Sequence, residues 1–431
     1  MPKTNCAKLL FVTACVVVLS VTGIAYGSDA KGNWVTAWSA AVHAAPQVPF
    51  LPAPPVFENQ TIRMIVRTTI GGDRVRIRFS NEFGTTALGI DAAHIALVRQ
   101  GANTVPESDR VLMFGGKTSV TVPPGSPMLS DPVDLKLPAF TEIAVSLYLP
   151  GKTSLPTTHL WGQHETYPSG PENLSAQAEI PNATVKTSWY FLADIEVWAP
   201  DRTAAVVTLG DSITDGVGAK QGDYSDWPDI LASRMASEPA SPHLAVVNEG
   251  IGGNRILHDG AGASALARFD HDVLAKPGVA YLTVLEGTND IGWPNIKPRP
   301  LKDGTTPQEP PFAGEAVSAE QIIGGLQQIV ERAHEHGIKV FGATLTPYEG
   351  ADYYTADGEA KRQTINKWIR TSGAFDAVFD FDAAVRDPDH PSQFRNGYHS
   401  GDHLHPNAVG YKAMADASDI SAFKAASATN R

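Results

Sequence analysis

The chain has 431 residues, 42% of them hydrophobic and 19% charged, with a formal net charge of −12. That length and composition describe an ordinary globular protein with a sizeable core and an expectation of two domains or more. The acidic balance, with no cluster of Lys or Arg, excludes a nucleic-acid binder; it favours solubility and names no substrate.

From the N-terminus, residues 1–27 read as a secretory signal: Lys3 and Lys8, an apolar run LLFVTACVVVLSVTGIA, then small residues at Ala25 and Gly27. The alternative is an uncleaved anchor, but the run is barely long enough to cross a bilayer. The expected location is secreted or periplasmic, with no stable membrane insertion after cleavage. Both cysteines, Cys6 and Cys15, fall in this segment. The rest of the chain is therefore expected to lack a disulfide, a thiol nucleophile and a Cys-ligated metal.

Residues 32–200 read as a β-sandwich accessory domain of jelly-roll type. QTIRMIVRTTI (Gln60–Ile70) and RVRIRFSN (Arg74–Asn81) alternate polar and apolar residues across Gly71, Gly72 and Asp73, which predicts a hairpin. Short runs such as SVTVPPG, VDLKLP and EIAVSLYLPG follow, punctuated by Pro and Gly. A structural cap or a glycan-binding module would both suit such a domain.

Residues 203–428 change rhythm. Apolar strands at Ala204–Gly210, His243–Gly250, Val279–Gly287, Ile338–Pro347 and Ala377–Val385 alternate with helical segments. Those segments are Asp226–Ala236, ALARFDHDVLA, Ser318–Gly337, Lys361–Thr371 and one starting near Asn407. Continuous apolar strands between helices predict an α/β fold with a parallel sheet covered on both faces. In such folds ligands bind at the carboxyl ends of the strands.

Four segments at those ends carry chemistry: GDSITDG with Ser212, NEGIGGN with Gly253, GTND with Asn289, and DHLHPN with Asp402 and His405. A serine hydroxyl needs a base to become a nucleophile. An imidazole serves at neutral pH, and a carboxylate holds its tautomer. Backbone N–H groups and an amide donor suit a developing oxyanion. In the second segment Gly252 competes with Gly253; counting from the strand favours Gly253. These types call for no metal and no cofactor.

The four ordered segments resemble those of the SGNH (GDSL) hydrolases, a family of esterases, lipases and carbohydrate deacetylases. The resemblance covers about half the chain. It implies a flavodoxin-like three-layer α/β/α fold, with Ser212 as nucleophile, His405 as base and Asp402 as its orienter. The Ser212 and Gly253 N–H groups and the Asn289 amide would form the oxyanion hole. Thr214 stands where the G-x-S-x-G signature of another hydrolase fold needs its second glycine. The layout with an N-terminal β-domain is similar to a secreted subgroup that includes xylan-associated esterases.

Several neighbours compete for a role. DPDHP (Asp387–Pro391) repeats the D-x-x-H-P pattern, but only His405 leads into a helix start, NAVGYKAMA, so His390 reads as part of a surface turn. His403 reads as a cleft-lining or packing residue, and His334 and His336 as solvated groups at a helix end. Asp211 is expected to stabilise the turn around Ser212, and Glu286 to be a buried hydrogen-bond partner. The Pro-rich stretch Trp293–Ala316 follows the Asn289 segment and suits a cleft wall or lid, with Trp293 and Arg299 as substrate contacts, or a solvated loop.

The function expected is a serine esterase acting on a small-molecule or glycan ester, with acetylated polysaccharide or another short-chain ester favoured. A lipase or aryl-esterase of the same family and a non-catalytic glycan-binding protein are the alternatives. No feature of the sequence fixes an oligomeric state.

Overall fold

Alternation of polar and apolar residues makes the first half of the chain antiparallel sheet. In the computed structural model, Met1 and residues 32–45, 53–238, 241–298, 306 and 309–424 are described. The signal reading of residues 1–27, with Cys6 and Cys15, lies outside them apart from Met1, and so does Arg299. Gly32–Arg431 form one compact unit.

One sheet orders Gly32–Ser39, Leu192–Pro200, Gly72–Ser80 and Pro127–Leu129, with Val133–Leu137 also on Gly72–Ser80. A second orders Thr166–Pro168, Gln60–Thr68, Thr141–Leu149, Ala92–Gln100 and Asn103–Thr104. Alternate residues of both, such as Val75, Ile77 and Phe79 against Ile143, Val145 and Leu147, are buried in one cluster. This is how facing sheets make a core.

The hairpin expected across Gly71–Asp73 is corrected. Gln60–Thr68 pairs with Thr141–Leu149 and Thr166–Pro168, whereas Gly72–Ser80 pairs in the other sheet, so the turn is a corner between sheets. Alternation shows that a strand has two unlike faces; it does not choose the neighbour. Gln60–Thr68 is buried without a break from Thr61 to Val66. Even Arg63 is interior, donating to Ser146 Oγ at 2.8 Å and to Ala102 O at 2.7 Å.

The second half holds five parallel strands. Numbered along the chain, Ala204–Gly210, Leu244–Gly250, Val279–Leu285, Lys339–Ala343 and Ala377–Phe379 lie in the order 2-1-3-4-5. This is the flavodoxin-like order, whose switch point lies beside the first strand. Every residue of Ala204–Gly210 is buried, as expected for a strand covered on both faces.

The outer strand Leu244–Gly250 would leave a bare edge, a hazard for misassociation. The sheet-rich region covers it: the Val246 N–H donates to Thr69 Oγ1 at 3.1 Å. Deeper, the Lys276 ammonium sits 2.6 Å from Asp194 and 2.8 Å from Glu249, tying the two architectures through buried charge. The core runs without a break from Val35 to Phe423.

Candidate active site

Ser212 is delivered by a tight strand-to-helix turn. Strand Ala204–Gly210 stops at Gly210, where a Cβ would fall 2.1 Å from Thr214 Oγ1. Asp211 then caps the helical turn Ser212–Asp215, its Oδ1 accepting from the Ile213 N–H at 2.9 Å. Gly216 ends that turn at φ 101°, a left-handed conformation that suits glycine. Ser212 is left 8% exposed. Burial, partly opposed by the Ile213 N–H, pushes the Asp211 carboxyl up to about 7.

His405 and Asp402 are placed by two local devices. Asp402 Oδ1 accepts from the Leu404 and His405 N–H groups at 3.0 and 2.9 Å, folding the loop back on itself. Asn407 caps the helix Ala408–Ala417, accepting from the Val409 and Gly410 N–H groups. Asp402 Oδ2 lies 2.6 Å from His405 Nδ1, and His405 Nε2 lies 2.8 Å from Ser212 Oγ. With its Nδ1–H given to the carboxylate, the neutral ring offers Nε2 as acceptor for the serine proton. Burial raises the Asp402 carboxyl, but hydrogen bonds from the His405 ring and the two N–H groups outweigh it. They hold the group well below the ordinary carboxylate range.

Gly253 and Asn289 follow the neighbouring strands. The two candidate glycines differ in what they have left to give. The Gly252 N–H donates to Asp215 Oδ2 at 3.0 Å, while the Gly253 N–H meets no acceptor among the described residues. Gly253 also holds φ 82°. Asn289 opens onto the same loop, its Nδ2 donating to Asn254 O at 2.9 Å and reaching Asp211 Oδ2 only at 3.5 Å. The Tyr353 hydroxyl donates to Asn289 Oδ1 at 3.3 Å, which fixes the amide's orientation. One amide N–H is thus weakly engaged.

The remaining candidates scatter. His390 is 69% exposed, in a turn where Asp387 accepts from the Asp389 and His390 N–H groups. His403 is exposed at φ 60° and stacks on His399 at 4.4 Å. Trp293 lies half-buried, its ring centre 4.7 Å from the Arg255 guanidinium and 4.7 Å from the Phe312 ring, and Arg255 covers Phe312 as well at 5.4 Å. His334 faces Asp376 at 2.9 Å and His336 the Arg332 carbonyl. Glu286 is buried 3.6 Å from Arg268 Nη2, a charge contact longer than the hydrogen bond expected of it, and burial pushes its carboxyl well up.

Sequence reasoning missed the support beneath the site. Arg268 donates to Gly210 O at 3.0 Å and Asn254 Oδ1 at 3.0 Å, bracing the serine strand and the glycine loop together. Asp215, inside the GDSITDG segment, binds His159 of the sheet-rich region at 3.0 Å. A second acidic residue in that segment was its one visible signal.

Fold and site together define a class, a hydrolase on a flavodoxin-like parallel sheet. Residues 208–413 match the GDSL-like Lipase/Acylhydrolase family, so this stretch carries a GDSL-like hydrolase region. It is similar to a GDSL-like lipase from Bacteroides thetaiotaomicron VPI-5482, with 18% identity, 49% of this chain and 84% of that one covered, and TM-score 0.34. It is also similar to a catalytic mutant of the acetylxylan esterase Axe2 from Geobacillus stearothermophilus. There the identity is 18%, the cover 50% and 91%, and the TM-score 0.36. No curated protein matches the chain.

Proposed function

We propose that the chain is a serine esterase in which Ser212, His405 and Asp402 form the catalytic triad. The observation that carries this reading is the unbroken line from Ser212 Oγ to His405 Nε2 at 2.8 Å and from His405 Nδ1 to Asp402 at 2.6 Å. Ser212 Oγ attacks the ester carbonyl as its proton passes to His405 Nε2. The carbonyl oxygen becomes an oxyanion facing the N–H groups of Ser212 and Gly253 and the Asn289 amide, donors worth roughly 3–4 kcal/mol each in such sites. Collapse breaks the bond to the alcohol, which leaves with the proton from His405. Water, deprotonated by the same ring, then releases the acid and restores Ser212.

Acetylated polysaccharide and other short-chain esters are the substrates we favour over lipid or aryl esters. The domain division at residues 32–200 and 203–428, and export directed by residues 1–27 to a secreted or periplasmic location, belong to the same proposal. The test is hydrolysis of p-nitrophenyl acetate and an acetylated oligosaccharide by wild type and Ser212→Ala. Wild type should cleave esters and the variant should lose about 10⁴-fold or more in kcat with its fold intact. Full activity in the variant contradicts the assignment.

A further inference from the structure

The sheet-rich region reaches the candidate site through one short arm. Strand Thr157–His159 continues into Leu160, Trp161, Gly162 and Gln163. The His159 ring is buried and bound at both nitrogens, Nδ1 to Ala41 O at 2.8 Å and Nε2 to Asp215 Oδ1 at 3.0 Å. Asp215 closes the helical turn that Ser212 opens, and its second oxygen takes the Gly252 N–H. Gln163 Nε2 donates to Asp215 O at 3.0 Å, and the Gly222 N–H donates to Gln163 O at 2.9 Å. The segment around Gly218 backs the histidine loop, since a Cβ there would fall 3.3 Å from His405 Cβ. The arm therefore touches both the glycine loop and the segment behind the base.

Trp161 is the tip of this arm. It holds φ 53°, a conformation uncommon for a bulky aromatic residue, which its surroundings must hold in place. Its ring lies against Gly252, where a Cβ would fall 2.5 Å from Trp161 Cζ3; a Cβ on Gly253 would fall 2.7 Å from Trp293 Cζ2. Two indoles thus flank the glycine pair. Trp293 is packed in a cluster with Arg255 and Phe312, whereas Trp161 is 45% exposed, the only tryptophan so exposed among the described residues. Two half-buried side-chain amides tie the arm down, Gln163 donating to Asp215 O at 3.0 Å and Gln221 to Gly162 O at 3.5 Å. An exposed indole lying against the glycine loop suits a ligand with one flat apolar face and a hydroxylated rim, as a pyranose ring has, better than an alkyl chain.

We propose that Trp161 is a specificity residue of this site: the sugar ring bearing the ester stacks on its indole while the ester carbonyl enters between Ser212 and Gly253. His159 is a positioning residue that acts through Asp215 on the Gly252–Gly253 loop. Both assignments rest on the esterase reading above.

The test compares wild type, Trp161→Gly and Trp161→Phe on an acetylated xylo-oligosaccharide and on p-nitrophenyl acetate. Trp161→Gly removes the ring while keeping a residue that tolerates φ above zero. It should raise KM for the oligosaccharide about tenfold, well beyond any change in KM for p-nitrophenyl acetate; Trp161→Phe should restore most of the loss. His159→Gln should instead lower kcat on both esters with KM little changed; an unaltered kcat overturns its role. Equal loss on both esters in Trp161→Gly, or none on the oligosaccharide, overturns the Trp161 assignment. Calorimetric binding of the oligosaccharide to Ser212→Ala, with and without Trp161→Gly, separates the two readings. A wild type inactive on every ester contradicts the esterase, while binding that ignores Trp161 contradicts the stacking surface.

Discussion

At the scale of single residues, the account depends most on what holds His405 in one tautomer. Asp402 spends both oxygens on this loop, one on two backbone N–H groups and one on the ring. An Asp402→Asn variant keeps an oxygen for the backbone but presents an amide to the ring, favouring the wrong tautomer. Its kcat should fall about 10⁴-fold with little change in KM; steady-state kinetics within tenfold of wild type would contradict the role. Ser212, Asp402 and His405, which the structure brings within hydrogen-bond reach of one another, were visible as candidates in sequence because each is carried by a short local motif. Asp215 was within view, but its partner His159 lies 56 residues away in a region of different period. No pattern in one strand names an ion-pair partner in another.

At the scale of elements, the helix Ala319–Glu335 shows what periodicity reveals. Ser318 and Gln321 form a reciprocal capping box, and Ile322, Leu326, Ile329, Val330 and Ala333 make the buried stripe. Leu326→Ala should cost about 2–5 kcal/mol of unfolding free energy in urea titration without altering KM; a loss of under about 0.5 kcal/mol would mean the stripe is not packed as described. The sequence expectation for this helix, Ser318–Gly337, differs from the structure only at its ends. The strands Gln60–Thr68 and Gly72–Ser80 were equally visible, yet their pairing was misread. Helices are set by neighbours three and four residues away, whereas sheet partners are chosen over distances that alternation does not encode.

At the scale of the whole molecule, ion pairs bind the sheet-rich region to the parallel sheet. His271 joins them directly, its Nε2 2.8 Å from Glu82 and its Nδ1 on Asp272. Burial alone would lower its basicity, but the two carboxylates push the imidazole up to about 10. Because the folded value lies above the unfolded one, near 6.5, this pairing stabilises fully below that pH and is lost as pH rises toward 10. The Tm difference between wild type and His271→Gln should therefore shrink from neutral to alkaline pH. A difference independent of pH would contradict the linkage. None of this was legible in sequence, because Glu82 and Asp272 belong to segments with unrelated patterns.

In the proposed reaction one serine, Ser212 at the end of the first parallel strand, does the chemistry. The most direct measurement treats the active protein with a p-nitrophenyl alkylphosphonate, which stays bound to an activated serine, and maps the adduct by peptide mass spectrometry. One equivalent should bind at Ser212, with activity lost in proportion and no adduct in His405→Ala. Activity lost with the phosphonyl group on any other residue would contradict this role of Ser212.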